Sequence, residues 1–542
     1  MAEKKQTFLH GAMLLAISTA VVKVIGAFYK LPLNMVIGPK GFGYFNTAYE
    51  IYAVLLIIST AGLPVAMSRM ISEANALGHY NRVRKIYAVS RALFFGIGTL
   101  SALFMIIGCK ALAQSMNQPD AWTAILCLGP SALFICMMST YRGFFQGQEN
   151  MRPTSVSQVI EAVVKLVVGL AVALIALKLT DNIALAAGGA ILGVSVSCLV
   201  SVIYLKKKLT PEYRQLPVTR EEAGSFGNTA KRLLAIAVPI TIGSAGLSLL
   251  NLLEIGLYMD RLVYLVESNQ YMGHLVNLEN SAQDVADTIK GVYNMGQTIF
   301  NMPPSLIMPI TISVIPAITA QITTGNTAKV KGTEESAARV TGLLALPCSV
   351  GLIVLAKPVL ALLGGYEGEL LDIGATCLSV MGMNVFLYST TQYTTAVLQA
   401  HGKAHLPVVN MLLCGMLKLV TVYVLVGNPA IGILGAPLGA ALCYSAIGVL
   451  NFVIIRRVVP QRPALVKNLL RPALPAAIMG GAVYGVWFGL SRFTSSDLLL
   501  CGVPIAVGVI VYVVFSVIFK AITVEDCQLL PKGDKLAKFL KL

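Results

Sequence analysis

The chain has 542 residues, of which 56% are hydrophobic and only 12% are charged, and its mean hydropathy is +0.76. A soluble domain of this length would carry far more charge, and the apolar runs do not alternate as the strands of a membrane β-barrel do. The net charge of +16 could indicate a nucleic-acid partner, but the basic residues lie between the apolar runs, so we expect none. The composition predicts an all-α polytopic membrane protein.

Apolar runs long enough to cross a bilayer recur from one end of the chain to the other. We predict about 14 transmembrane helices from these runs. They cover residues 10–37, 44–70, 86–108, 120–145, 154–178, 183–205, 233–262, 289–320, 335–357, 369–399, 407–427, 433–456, 469–491 and 497–520.

The basic residues orient these spans. If the N-terminus, with Lys4 and Lys5, is cytoplasmic, most of the 41 Lys and Arg fall in cytoplasmic segments. This positive-inside pattern predicts a multi-pass protein with both termini in the cytoplasm, and the same charges can attract anionic membrane lipids. The ten cysteines form no CxxC pair or Cys/His cluster, so we predict no metal site.

The two halves of the chain resemble each other. Gly43-Tyr-Phe-Asn46 returns as Gly291-Val-Tyr-Asn294, and Lys165 returns as Lys418 in the same order. The matches predict two parallel six-helix repeats plus two C-terminal helices, an arrangement that suits alternating access. The predicted domains are an N-terminal six-helix lobe with a cytoplasmic linker, a C-terminal six-helix lobe, and two further helices with a cytoplasmic tail, covering residues 1–228, 229–460 and 461–542.

The first predicted span contains two lysines, Lys23 and Lys30. They are two helical turns apart, so they share one face at a separation of about 10 Å. A lysine at bilayer depth costs roughly 3 kcal/mol, so it usually faces a wet cavity or a partner. One interpretation is a cationic cavity wall that binds an anionic head group. The other is structural, with Lys30 paired to Glu50 of the next span.

Other charged residues within the spans also have two interpretations. Glu161 and Lys165 are spaced i, i+4, which favours a structural ion pair, whereas Lys418 has no acid at that spacing. Glu254 and Asn251 on span 7 could provide Na⁺ or proton coupling, or Glu254 could pair with a basic residue of span 1. No catalytic or cofactor motif occurs, so we expect neither an enzyme nor a bound cofactor.

Several longer motifs have a family resemblance. Lys23-Val-Ile-Gly-Ala-Phe-Tyr-Lys30-Leu-Pro32, Gly62-Leu-Pro-Val-Ala-Met-Ser-Arg69 and Tyr141-Arg-Gly-Phe-Phe-Gln-Gly147 resemble the stage V sporulation protein B family. That family belongs with the MurJ-type lipid II flippases and polysaccharide exporters of the multidrug/oligosaccharidyl-lipid/polysaccharide superfamily. The resemblance implies a transporter that moves an undecaprenyl-diphosphate-linked saccharide to the outer leaflet of the bacterial cytoplasmic membrane.

The resemblance also implies site residues. In MurJ-type flippases, basic residues of spans 1, 2 and 7 line the cavity, and the matching positions here are Lys23, Lys30, Arg69 and Arg261. Lys418 is a further candidate because it is the less compensated lysine of the repeat. Lysine in place of arginine keeps the charge but gives up planar, bidentate recognition.

Three functions remain open from the sequence. The first is flipping of a lipid-linked oligosaccharide, most simply the peptidoglycan precursor lipid II. The second is small-molecule or drug antiport in the same superfamily, against which the cationic first span counts. The third is a non-transporting membrane scaffold that acts with cell-wall synthesis proteins in cell-wall or spore assembly.

Overall fold

A computed structural model describes residues 8–148, 150–217, 224–268, 281–305, 307, 318, 321–322, 327–403 and 405–522. All regular structure in these ranges is helical, as the apolar periodicity predicts. The chain forms two compact units that divide after Asp260. The division falls inside a helix and later than the predicted boundary at residue 228, so the three predicted domains stay a prediction.

The N-terminal unit contains six helices and most of a seventh. They are α1 (Phe8–Ala61), α2 (Leu63–Ala76), α3 (Tyr80–Ser115), α4 (Trp122–Gly147), α5 (Arg152–Thr180), α6 (Ile183–Gln215) and α7 (Phe226–Glu267). The most extensive packing is between α5 and α6, between α3 and α4, and between α4 and α6, with α1 against α5.

The C-terminal unit begins with the end of α7. The helices that follow are α8 (Ala282–Phe300), α9 (Thr327–Val354), α10 (Ala356–Gly364), α11 (Gly368–Ala400), α12 (His405–Val426), α13 (Gly435–Val458), α14 (Leu465–Leu470), α15 (Ala473–Leu490) and α16 (Asp497–Ile518). Helix α11 packs on α8, α9 and α13, while α15 and α16 pack on each other.

Ten helices of the described part are long and apolar enough to cross a membrane. Their ends follow the predicted spans 3 to 6 and 9 to 14 within about ten residues, which confirms the all-α membrane class. Predicted spans 1, 2 and 7 include side chains outside the described part, and span 8 is described only in part, so the full count stays a prediction. Most of the proline-rich second half of span 8 also lies outside the described residues.

The turn between the first two predicted spans is sharper than the sequence suggests. The sequence predicts a turn over Gly38–Gly43, but the backbone leaves the helical conformation only at Gly38, with φ 68° and ψ 177°. This conformation is essentially restricted to glycine. Pro39 then opens the next helical segment, where its fixed φ and missing N–H are tolerated. Helix α1 is therefore two segments, residues 8–37 and 39–61, and predicted span 2 consists of the second segment and α2.

Small residues bring the helices around α1 close together. An added Cβ on Gly193 of α6 would overlap the backbone of Gly169 on α5, so both glycines are needed for this approach. The hydroxyl of Tyr29 on α1 donates a hydrogen bond of 3.1 Å to the carbonyl of Ala190 on α6. These contacts fix the middle of α1 against α5 and α6.

Candidate anion-binding site

The bend at Gly38 brings the two segments of α1 together around Lys30. The ammonium of Lys30 donates a hydrogen bond of 2.9 Å to Oδ1 of Asn46. The amide of Asn46 is oriented by its own helix, because its Nδ2 donates to the carbonyl of Phe42 at 2.8 Å. Only the amide oxygen is thus available to Lys30, and the half-buried lysine is held in a defined position.

Tyr49 lies beside two lysines. Its ring centroid is 4.9 Å from Nζ of Lys30 and 5.2 Å from Nζ of Lys165. The ammonium of Lys165 also donates to the Tyr49 hydroxyl at 3.2 Å. The electron-rich face of the ring offsets part of the repulsion between the two cations. Helices α1 and α5 therefore place two positive charges around one aromatic side chain.

Glu161 has a different partner from the predicted one. Its Oε2 accepts a charged hydrogen bond of 3.1 Å from Nη2 of Arg142, and its Oε1 accepts one of 2.7 Å from the Tyr52 hydroxyl. The same guanidinium donates to Ser157 at 3.0 Å. The expected contact ion pair of Glu161 with Lys165 is not formed, because each side chain meets a better-placed partner on another helix.

The Arg142–Glu161 ion pair is almost fully buried, with 8% and 13% of the two side chains exposed. Transferring one such charge alone from water would cost several kcal/mol. Here the guanidinium and the carboxylate neutralise each other, and Ser157 and Tyr52 supply further hydrogen bonds. The net positive charge of the cluster therefore resides on Lys30 and Lys165, offset in part by the nearby carboxylate of Glu50.

Of the other predicted basic residues of the N-terminal unit, only Arg69 has a described side chain, and it is not part of this cluster. Lys23 lies on α1, but its side chain is outside the described part of the chain. Arg69 lies on α2 with an exposed side chain. Glu50 attracts Lys30 electrostatically, although the hydrogen bond of Lys30 goes to Asn46.

The predicted coupling residues, Glu254 and Asn251, lie on α7 but differ in burial. Glu254 is 6% exposed, whereas Asn251 is exposed. A cation bound by both residues would need the side-chain oxygens of Glu254 and Asn251 in one buried place. The structure therefore supports only Glu254 as a candidate coupling residue.

The two remaining basic candidates lie in the C-terminal unit. The guanidinium of Arg261 lies 3.6 Å from the ring centroid of Tyr423 and 5.8 Å from that of Tyr264. Lys418 is half-buried on α12. The repeat therefore relates two lysines of unlike surroundings, since Lys165 is buried.

Sequence reasoning missed three residues of the cluster. Arg142 lies within a predicted span and inside a quoted motif, so its charge could have been matched to Glu161. Asn46 and Tyr49 could have been found only by pairing the two segments of α1 around Gly38. A tyrosine in an apolar run gives no signal by itself.

Comparisons with known proteins agree with this architecture. Residues 8–321 match the family model for polysaccharide biosynthesis proteins, and residues 289–424 match the MatE model. Lipid II flippase MurJ of Bacillus subtilis (strain 168) is 26% identical over 507 residues, which cover 90% of this chain and 90% of that protein. Stage V sporulation protein B of the same organism is 24% identical over 541 residues, covering 97% and 98%. The solved structure of lipid II flippase MurJ in an inward closed conformation superposes with a TM-score of 0.63 at 14% identity, covering 93% of this chain and 98% of that one.

The helical architecture and these matches define a multi-pass helical membrane protein with the fold of the solved MurJ structure. Within that class, the chain belongs to the polysaccharide biosynthesis protein family, whose model covers more than half of its length. The resemblance to MurJ and to stage V sporulation protein B that the motifs indicate is thereby confirmed. MurJ is named as a lipid II flippase, and the expectation that this chain is not an enzyme stays a prediction.

Proposed function

We propose that this protein moves an undecaprenyl-diphosphate-linked saccharide, most simply lipid II, from the inner to the outer leaflet by alternating access. It would act in the bacterial cytoplasmic membrane with both termini in the cytoplasm. The observation that carries the proposal is the pair of cations, Lys30 and Lys165, around Tyr49 in the interior of a transporter unit. Such a cluster suits an anionic head group.

A diphosphate carries about two negative charges, and moving them into an apolar region without compensation is prohibitive. Lys30 supplies one positive charge from a half-buried position, and Lys165 supplies a second from behind it. An ammonium group binds without the fixed geometry of a guanidinium, which suits a head group that must reorient and leave. Binding must stay moderate, because a head group held too tightly would stall the cycle.

The relatives support the same substrate class. MurJ is named as a lipid II flippase and matches along almost the whole of this chain. The identity of the saccharide is proposed from the name of MurJ, which shares about a quarter of its residues with this chain.

Glu254 is proposed to couple transport to Na⁺ or protons, because a buried acid in a transporter helix is a usual cation site.

The match of residues 289–424 to the MatE model favours drug antiport as the second candidate. A cationic drug would be repelled by Lys30 and Lys165, and their charges would then serve no purpose in binding. A scaffold that works with cell-wall synthesis proteins would not need these buried cations either. Both alternatives therefore predict that the lysines can be replaced without loss of function.

The test is depletion of the protein followed by leaflet-specific labelling of lipid-linked precursors. We expect the precursors to accumulate in the inner leaflet and to return to normal when the native chain is restored. Lys30→Ala should fail to restore them, whereas Lys178→Ala, at an exposed lysine of α5, should succeed. A normal leaflet distribution with misplaced synthases would instead support the scaffold.

A further inference from the structure

Lys165 is freed for a role in binding because Glu161 is already satisfied. One oxygen of Glu161 bonds Arg142 at 3.1 Å, and the other bonds the Tyr52 hydroxyl at 2.7 Å. Lys165 is 6% exposed, yet its one hydrogen bond in the described part of the chain goes to the neutral hydroxyl of Tyr49. A buried lysine so placed is costly for stability alone, which points to a functional reason for it.

The hydrogen bond from Lys165 decides what the Tyr49 hydroxyl can do. A phenolic hydroxyl has one donor and two acceptor positions, whereas an ammonium can only donate. The oxygen of Tyr49 must therefore accept from Lys165, and its own proton remains to be donated. Among the described residues no acceptor for that proton is present, and the Tyr49 side chain is half-buried, whereas Lys165 is buried.

We infer that the Tyr49 hydroxyl is a direct hydrogen-bond donor to a phosphate oxygen of the transported lipid. Lys165 acts as a positioning residue that holds this hydroxyl from behind, and Lys30 contributes its charge beside the ring. The inference rests on the proposed function and adds a residue to the same site. Two other residues of α1 hold Lys30 and Tyr49 in place. Asn46 accepts the hydrogen bond from Lys30, and the Phe45 ring stacks on the Tyr49 ring with 5.5 Å between the ring centroids.

The chemistry of the cluster favours an oxyanion over other ligands. Tyr49, Lys30 and Lys165 offer only donors and positive charge toward a ligand, which excludes a cation. A neutral sugar could accept the hydroxyl proton but would leave two like charges uncompensated. A phosphate oxygen satisfies both the proton and the charge, and hydrogen bonds to charged groups are roughly twice as strong as neutral ones.

The experiment measures binding to the purified full-length protein in lipid nanodiscs. Three ligands separate the possible sources of a phosphate group: undecaprenyl diphosphate, inorganic pyrophosphate and phosphatidylglycerol. The variants are Tyr49→Phe, Lys165→Met and the two combined. Tyr44→Phe is the matched control, because its hydroxyl on the same helix donates to Asp120 at 3.2 Å. Lys30→Ala reports on the proposed function itself.

We expect Tyr49→Phe to weaken binding of undecaprenyl diphosphate about tenfold, the usual effect of losing one hydrogen bond to a charged group. Lys165→Met should weaken it by a similar factor, and the combined variant should lose less than the product of the two single factors, because Lys165 acts in part through the Tyr49 hydroxyl. Inorganic pyrophosphate should show the same dependence on Tyr49 at lower affinity. Tyr44→Phe should bind as the native protein does.

The outcomes separate the two proposals. If the native protein binds none of the three ligands, the proposed function fails and the inference fails with it. If Lys30→Ala loses binding but Tyr49→Phe keeps the native affinity, the proposed function stands and the role of Tyr49 is overturned. Additive losses from Tyr49→Phe and Lys165→Met would overturn the positioning role of Lys165. Equal affinity for phosphatidylglycerol would overturn the assignment to a diphosphate lipid.

Discussion

Lys30 and Asn46 lie at equal distances along the chain on either side of Gly38, and a hydrogen bond of 2.9 Å joins them. This bond exists only because the chain reverses at Gly38, where φ is 68°. The position of Lys30 in the candidate binding site thus depends on a backbone conformation at Gly38 that residues other than glycine rarely adopt. The bend and the site should therefore respond together to mutation.

Replacing Gly38 with alanine tests this link. No atom lies within 4 Å of the position where the added Cβ would be, so the cost is one of backbone conformation alone. We expect a loss of about 1–3 kcal/mol of stability and a marked loss of transport, because a relaxed bend separates Lys30 from Asn46. Thermal unfolding in detergent and complementation of a depleted strain are the measurements. Gly26→Ala, at a helical position with equally open space, should be tolerated.

The two lysines of the first span should be required for transport. Lys23→Ala with Lys30→Ala is expected to abolish complementation while insertion and yield stay normal, since removing charges from a span makes insertion easier. Arginine at both positions should keep part of the activity because it keeps the charge, and glutamine should not. Complementation by the double alanine variant at normal expression would favour a structural role, with Lys30 held by Glu50 and Asn46.

The buried pair of Arg142 and Glu161 should support stability. Arg142→Met leaves the Glu161 carboxylate buried beside Tyr52 without its cation, and we expect a loss of about 3–5 kcal/mol. Adding Glu161→Gln should recover part of that loss, because the uncompensated charge is removed. Arg232→Ala is the control, since its pair with Glu73 is exposed and is worth less than about 1 kcal/mol. Equal losses at both sites, measured by thermal unfolding, would contradict the assignment.

The architecture follows from the sequence because long apolar runs and positive-inside charges are local signals. The predicted spans from residue 86 to 205 each meet a helix with ends within about ten residues. The predicted pairing of Glu161 with Lys165 was wrong because it considered only neighbours on the same helix. Arg142 lies on another helix, and the sequence pattern does not show which face that helix turns toward Glu161.

The site was only partly predictable for the same reason. Lys30 stands out in an apolar run because a charge there is costly, and the sequence identifies it directly. Asn46 and Tyr49 are ordinary residues whose importance arises from the reversal at Gly38. From the sequence, a sharp turn at Gly38 alone could not be distinguished from a longer loop over the Gly-rich stretch Gly38–Gly43.

Glu254 should govern the dependence of transport on cations. Its carboxylate is buried in α7, so Glu254→Gln removes a charge that Na⁺ or a proton could neutralise during the cycle. We expect the variant to lose the dependence of flipping on Na⁺ or pH in proteoliposomes. Asn251→Ala, at the exposed neighbouring position, should keep it. An unchanged dependence in Glu254→Gln would assign the residue a structural role.

Arg261 should depend on Tyr423 for its orientation. The guanidinium of Arg261 lies 3.6 Å from the ring centroid of Tyr423. When the guanidinium of Arg261 stacks on the Tyr423 ring, it uses one of its planar faces, and the N–H donors at its edge can still bind an anion. If Arg261 contributes to substrate binding, Tyr423→Leu should lower transport by a factor of about 2–30, the range expected for loss of a cation–π contact of about 0.5–2 kcal/mol. Tyr423→Phe keeps the ring and should be close to native in a proteoliposome flipping assay.

Arg261→Lys should resemble Tyr423→Leu, because an ammonium cannot stack on the ring as a guanidinium does. Native transport by Arg261→Lys would show that only the positive charge matters at this position.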